Sequence, residues 1–284
     1  MLKAHAFALP FAVFISCKCS CVCRVLCIDD ASLALSYHTK PIIHSFAARP
    51  LDSVQEELET GADVFARVSQ STLRWFLFPY LLLVKKLRGV SCDGGDEVQS
   101  YDELLKVSSD TGNATLRTHT FVVQLAFLVI FQEWESALTL LVEAGNIRDA
   151  IPGQAASVNL TWMEGLVYLK AAQASTAWMK RNKWKKKAMV SMKMLRGWLK
   201  TGNGNGNIVH TIHLLTAEYS ILKGNKAKAE ESFKSSISVA TTNGFMQDRG
   251  LAHELASAYY AAKGDDYFAN YHMDNAARSF LDWG

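Results

Sequence analysis

The chain has 284 residues, with 30 lysines and arginines against 27 aspartates and glutamates and a formal net charge of +3. Apolar residues make up 49% of the chain and charged residues 20%, a composition that indicates a folded globular protein and excludes a disordered one. The nearly balanced charge argues against a dedicated nucleic-acid-binding domain. The longest apolar runs, residues 7–15, 75–84 and 121–131, are shorter than the roughly 20 residues that span a bilayer, so we expect no transmembrane segment.

The first thirty residues differ from the rest of the chain. An apolar run over residues 6–15 is followed by five cysteines, Cys17, Cys19, Cys21, Cys23 and Cys27. Alternating thiolates could bind a soft metal ion, be oxidised or be acylated, so the role of this cluster stays open. We expect residues 1–30 to be a poorly ordered, cysteine-rich extension or leader. The apolar run resembles a weak signal peptide, but the body of the chain does not resemble a disulfide-rich secreted domain. We therefore expect a cytoplasmic protein, with secretion as the alternative.

From about residue 30 onward, apolar residues recur at helical spacing between short turns. All five prolines lie at or before Pro152, so the second half contains no residue that breaks a helix. The spacing predicts helices over residues 51–68, 72–87, 98–107, 116–131, 134–144, 158–174, 182–200, 210–223, 226–242, 247–263 and 266–282. Because short connections favour antiparallel neighbours, we predict an all-α fold in which residues 31–284 form one domain of stacked helical hairpins.

The last two predicted hairpins repeat each other. A shift of 40 residues places residues 208–244 on 248–284 and aligns identical residues, among them Gly224 with Gly264, Ala229 with Ala269, Gly244 with Gly284, His213 with His253 and Leu215 with Leu255. The glycines can end helices in the left-handed conformation, and the alanines allow close helix approach. Residues 132–137 give a weaker echo of residues 224–229. This period predicts a tetratricopeptide-like α-solenoid, a right-handed superhelix of stacked antiparallel hairpins. The alternative is an irregular helical domain with coincidental matches.

The C-terminal half resembles a region of a known family. The matching residues are Trp198, Asn207, His210 and the segments 214–218 (Leu-Leu-Thr-Ala-Glu), 243–247 (Asn-Gly-Phe-Met-Gln), 251–256 (Leu-Ala-His-Glu-Leu-Ala) and 283–284 (Trp-Gly). They are similar to the tetratricopeptide-like region of large multidomain proteins that combine a serine/threonine-kinase-like domain, a STAND-type NTPase and a sensor histidine kinase. The resemblance covers residues 30–284 and is strongest from residue 198. It implies a scaffold or relay segment that couples an NTPase to a kinase output.

A strongly basic segment lies between residues 180 and 200. Its candidate partner-binding residues are Lys180, Arg181, Lys183, Lys186, Lys187 and Lys193. An apolar stripe at helical spacing accompanies them and predicts a buried face opposite solvated lysines, namely Trp184, Ala188, Met192, Leu195 and Leu199. Three interpretations stay open: a solvated face without a partner, a surface for an acidic protein or a membrane surface, and a single-stranded nucleic-acid site. In the last case, Trp178, Trp184 and Trp198 would stack on bases while the lysines contact phosphates.

The sequence lacks the motifs that would indicate catalysis. There is no G-x-x-x-x-G-K-[ST] loop, no protein-kinase signature and no G-x-S-x-G segment. The segment that begins at His253 lacks the second histidine of a zinc-protease helix, because Ser257 stands in its place. His210 and His213, one turn apart, could share an ion, but we interpret them as packing and capping residues.

These observations predict a non-catalytic helical-repeat scaffold without a cofactor or metal. We expect it to mediate protein–protein interaction and regulatory coupling in a kinase/NTPase signalling assembly. Its expected partners are kinase- or NTPase-containing signalling components, or a peptide or helix in the concave groove of the solenoid. The alternative function is the binding of nucleic acid or an acidic partner through the basic face of residues 180–200.

Overall fold

Apolar residues at helical spacing, short turns and the absence of proline from the second half produce an all-helical chain. The structure, a computed structural model, describes residues 49–67, 71–90, 100–202 and 206–284. These residues form eleven α-helices and no strand, which confirms the all-α prediction. The helices are α1 (Leu51–Arg67), α2 (Ser71–Leu87), α3 (Tyr101–Asp110), α4 (Ala114–Ile130), α5 (Trp134–Ala144), α6 (Ala155–Ala174), α7 (Trp178–Thr201), α8 (Val209–Leu222), α9 (Lys226–Asn243), α10 (Met246–Lys263) and α11 (Asp266–Trp283). The expected extension over residues 1–30, with its cysteine cluster, lies outside the described residues.

Consecutive helices pack side by side as hairpins. Helix α1 contacts α2, α3 contacts α4, α6 contacts α7, α8 contacts α9 and α10 contacts α11. Turns of two or three residues join α8, α9, α10 and α11, so these neighbours run antiparallel. Helices α4, α6, α8 and α10 also contact one another in that order. Each hairpin from α6 onward therefore packs against the one before it, as in a helical-repeat protein.

The 40-residue repeat is present in the helix boundaries. Helix α9 covers Lys226–Asn243 and α11 covers Asp266–Trp283, so both ends are offset by the same 40 residues. Asn225 before α9 and Asp265 before α11 each accept a hydrogen bond from the backbone amide three residues further on. Such caps satisfy donors that have no partner within the helix. The two hairpins thus share their turn geometry as well as their helix lengths.

The residues that define the repeat in the sequence occupy equivalent places in the fold. They are four glycines with positive φ and two buried alanines, in order Gly224, Ala229, Gly244, Gly264, Ala269 and Gly284. Gly224 and Gly264 have φ of 72° and 78°, a conformation that a Cβ atom disfavours. The buried alanines let neighbouring helices approach each other closely.

The weaker echo at residue 132 is a third copy of the same turn. Gln132 has a φ of 55° and, among the described residues, is the one non-glycine with a positive φ. It stands in the sequence where Gly224 and Gly264 stand in the later hairpins. Ala137, five residues on, is completely buried like Ala229. The turn between α4 and α5 therefore has the repeat geometry with a residue that adopts it at a cost of about 1 kcal/mol.

The two ends of the described chain meet. Leu51 and Trp283 are buried in one apolar cluster, and a Cβ atom added to Gly284 would lie 3.2 Å from that of Leu51. Helix α2, helix α10 and the end of α11 surround a cavity of about 30 Å³ beside α4 and α6, where Trp162 is among the lining residues. This volume holds one or two water molecules. A peptide or helix, which the sequence analysis placed in a concave groove, has no room at this place.

Candidate partner-binding face

Helix α7 packs on the rest of the protein through one narrow stripe. Ala188, Ser191, Met192 and Leu195 are buried, and Trp184 packs against the same cluster while partly exposed. Gly165 on α6 permits the close contact, because a Cβ atom there would lie 3.3 Å from the Cβ of Ser191. The prediction of a buried stripe is confirmed. Since the stripe uses only one side of α7, the opposite side is left to the solvent.

The start of α7 differs from the prediction. The sequence analysis began this helix at residue 182, whereas it begins at Trp178. Trp178 and Met179 are 75% and 78% exposed, so the first turn contributes no apolar residue to the buried stripe. Ala177 provides no side-chain cap either, and the sequence therefore carried neither of the usual signals of a helix start.

Two of the predicted basic residues support the packing of α7. The ring of Trp184 stacks on that of Tyr168 with centroids 5.7 Å apart. Lys183 lies 4.7 Å from the Trp184 ring, and Lys187 lies 5.3 Å from it and 5.1 Å from Tyr168. Cations over aromatic faces are attracted to the rings. Burial and the nearby Glu164 carboxylate raise the pKa of Tyr168 to about 12, so this phenol stays neutral under the lysines.

A third basic residue caps a neighbouring helix. The Arg181 guanidinium donates a hydrogen bond from Nη2 to the carbonyl oxygen of Leu222, at 3.1 Å. Leu222 is the last residue of α8, where carbonyl groups lack helical partners and a cation is favoured. Arg181 therefore fixes α7 against the end of α8.

The remaining predicted basic residues face the solvent. Lys180, Lys186 and Lys193 are exposed, and none of the ion pairs in the described part of the chain involves them. Helix α7 carries nine lysines and arginines and no carboxylate. Neighbouring carboxylates are engaged elsewhere: Glu164 pairs with Arg148, and buried Glu218 accepts a hydrogen bond from Lys170 at 2.7 Å. The outer face of α7 is therefore strongly positive.

Apolar side chains interrupt this positive face, a feature that the sequence analysis missed. Five exposed residues follow one another at helical spacing along the outer side of α7: Met179, Lys183, Lys186, Val190 and Lys193. We call these five residues the α7 stripe. Val190 is 59% exposed. The missed signal is the spacing of Met179 and Val190, eleven residues apart and thus on the same side of the helix. Apolar groups among unpaired cations suit a protein partner better than water alone.

The tryptophans do not form a base-stacking platform. Of the three in this segment, Trp178 is exposed, whereas Trp184 and Trp198 pack partly buried against the main apolar cluster. Stacking on single-stranded nucleic acid requires several free aromatic faces in succession. The geometry of α7 thus favours an acidic protein over a nucleic acid.

The histidines considered as metal ligands contact other groups. His210 Nε2 lies 2.8 Å from Asp248 Oδ2, and the two Nδ1 atoms of His253 and His272 lie 2.9 Å apart. The hydroxyl of Ser257 donates to the backbone carbonyl of Ala269. Among the residues that the structure describes, no group of three or more His, Cys, Asp or Glu side chains is arranged to hold a metal ion.

The described helices and the comparisons add two facts. Within the described ranges, none of the helices combines the length and apolarity needed to cross a bilayer. No family model, no curated protein and no solved structure matches this chain.

Proposed function

We propose that this protein is a non-catalytic helical-repeat scaffold that binds an acidic segment of a partner protein through the outer face of α7. The observation that carries the proposal is the composition of that face. It presents nine basic residues and no acidic one, together with exposed Met179 and Val190. Cations attract and orient an acidic partner, and the apolar groups supply contact area.

The charge of α7 is not required by its place in the fold. Helix α9, another second helix of a hairpin, balances Lys226, Lys228 and Lys234 with Glu230 and Glu231. Clustered like charges on one helix repel each other, so an unbalanced helix costs stability that α9 avoids. A partner with complementary charge would offset this cost at α7.

The assembly in which the scaffold works is proposed from the sequence resemblance. We propose that the hairpins stack into a right-handed, tetratricopeptide-like superhelix in a cytoplasmic signalling assembly. In that assembly the scaffold would couple an NTPase to a kinase output, with the acidic segment belonging to one of those components. The packing of successive hairpins and the 40-residue repeat support the helical-repeat part of this proposal.

The direct test is binding of fluorescent polyglutamate to the full chain, measured by anisotropy. We expect saturable binding that weakens as salt rises, because salt screens exposed charges. The double variant Lys186→Glu/Lys193→Glu should bind at least about tenfold more weakly, which corresponds to about 1.4 kcal/mol. Both side chains are exposed, so the thermal unfolding midpoint should stay unchanged.

The matched control is Lys228→Glu/Lys234→Glu on α9, which makes the same change of charge on another exposed helix. It should leave polyglutamate binding unchanged if α7 is the site. Equal loss in both double variants would show a response to net charge and would contradict the proposal. Oligo-dT in the same assay tests the nucleic-acid alternative: binding tighter than that of polyglutamate, and lost in the α7 variant, would favour it.

A further inference from the structure

Helix α11, in the last hairpin, exposes a second stripe of unusual composition. Five exposed residues run along its outer side at helical spacing: Tyr267, Tyr271, Asp274, Arg278 and Leu281. We call them the α11 stripe. Tyr267 is 76% exposed, Tyr271 52% and Leu281 80%. Exposed aromatic and aliphatic groups in continuous sequence along a helix mark an interaction surface.

The repeat itself shows that the fold does not require this stripe. The equivalent positions of α9, forty residues earlier, are also exposed and carry Ala227, Glu231, Lys234, Ser238 and Thr241. The inner sides of α9 and α11 are alike, with a buried alanine near the start of each. The tyrosines and the leucine of α11 are thus an addition to a surface that is polar in the neighbouring hairpin.

The α11 stripe and the α7 stripe have the same spacing and opposite charge. In each helix the five residues follow at intervals of four, three, four and three, which spreads them over about 21 Å. Helix α11 contains Asp266, Asp274 and Asp282 against one basic residue, Arg278, whereas α7 contains only basic residues. Two copies of α7, or two of α11, would repel each other, so complementarity selects the contact of unlike helices.

We propose that the α11 stripe of one copy of this chain docks on the α7 stripe of a second copy. The middle position of each stripe is Asp274 on α11 and Lys186 on α7, so these two charges oppose each other whether the helices run parallel or antiparallel. Neither side chain belongs to an ion pair in the described part of the chain. Exposed tyrosine rings beside lysines add cation–π attraction.

This contact is heterologous, because it joins different surfaces of identical chains. Such a contact propagates into open oligomers or closes into a ring. One helix pair buries less surface than the roughly 1,200 Å² at the lower end of stable interfaces, so association is weak and depends on concentration. The inference rests on the proposed function, since it names the acidic partner of α7 as a second copy of the same chain.

The test is sedimentation velocity of the full chain over a concentration series at low and high salt. The wild-type sedimentation coefficient should rise with concentration, and less so at high salt. Lys186→Glu and Asp274→Lys should each weaken association by about tenfold or more. The double variant Lys186→Glu/Asp274→Lys restores opposite charges and should recover it. A contact between two α7 helices would not recover in this variant.

Two controls change charge on other exposed helices: Lys106→Glu on α3 and Glu143→Lys on α5. Both should associate like the wild type. A wild-type chain that stays monomeric at every concentration, or a double variant that does not recover, overturns the inference. If polyglutamate still binds α7 in that case, the proposed function stands and only the identity of the partner falls. If polyglutamate does not bind, the proposed function itself fails.

Discussion

The hairpins α8–α9 and α10–α11 have the same inner structure and different outer surfaces. Their second helices begin and end 40 residues apart, and their turns share a left-handed glycine followed by a capping Asn or Asp. Leu215 and Leu255 are equivalent core residues with 0% and 1% exposure. On the outside, α9 is polar whereas α11 carries tyrosines and a leucine. Packing therefore constrains one side of each helix and leaves the other side free for binding.

Helix α7 shows the same division more strongly. Its buried stripe repeats the apolar spacing of the other helices, whereas its outer face has only basic and apolar groups around it. A mixed surface such as that of α9 would serve the fold equally well. The two outer faces that depart from this mixed pattern, on α7 and α11, are the ones to which we assign binding.

The largest effect is expected from the inner residues that the two hairpins share. Leu215→Ala and Leu255→Ala each remove a buried side chain, so each should lower the free energy of unfolding by about 2–5 kcal/mol. Because the environments are equivalent, the two losses should agree within about 1 kcal/mol. Urea unfolding followed by circular dichroism measures both. A loss below about 0.5 kcal/mol at either site would show that the hairpins are not packed alike.

A pH effect should distinguish the two hairpins. His253 faces His272, whereas the equivalent position of α9 is Ser232. Burial first, and then His272 and Arg249, lower the pKa of His253 to about 4. The unfolded chain, with a histidine pKa near 6.5, binds more protons below that pH. Stability is therefore complete above about pH 6.5 and is lost as the pH falls toward 4, by about 1–2 kcal/mol.

His253→Gln keeps a hydrogen-bonding side chain and removes the titrating group. Its unfolding free energy should fall less between pH 7 and pH 4.5 than that of the wild type. His272 and His213, whose pKa values burial also lowers, should still contribute to the fall in the variant. Identical pH profiles for the two proteins would contradict the assignment of this effect to His253.

A smaller effect is expected at the third copy of the repeat turn. Gln132 has a left-handed φ of 55° where the later hairpins have glycine. Gln132→Gly and Gln132→Ala both remove the side chain, but only glycine adopts this φ freely. The Gly variant should therefore be more stable than the Ala variant by about 1 kcal/mol, as thermal unfolding would show. The opposite order would mean that this turn does not have the repeat geometry.

The smallest effect on stability is expected on the outer face of α11. Tyr271→Glu introduces the residue that α9 has at the equivalent position, Glu231. Tyr271 is 52% exposed, so the free energy of unfolding should change by less than about 0.5 kcal/mol. A loss above about 1 kcal/mol would show that the stripe belongs to the core of the protein.

Much of the fold could be predicted from the sequence because its signals are local. Apolar spacing and turn residues gave the helices within a few residues, and Trp134–Ala144 matched at both ends. Gly224 and Gly264 marked turns whose conformation favours glycine. The start of α7 was wrong by four residues, because Ala177 gives no capping signal and Trp178 points to solvent.

The contacts between distant segments could not be predicted. Nothing in the local pattern around Leu51 indicates that it packs beside Trp283, which narrows the space expected for a concave groove. The basic residues of α7 were identified from composition, but their division was not. Lys187 lies over aromatic rings and Arg181 caps α8, whereas Lys186 faces the solvent, and this depends on which side of α7 meets α6.

The central claim is that the outer face of α7 binds an acidic partner, and the salt dependence of polyglutamate affinity tests it most directly. Affinity should fall steadily as salt is raised for the wild type. The fall should be much shallower for Lys186→Glu/Lys193→Glu, which has fewer cations to screen. An affinity that does not respond to salt, or a variant that follows the wild-type curve, would contradict the claim.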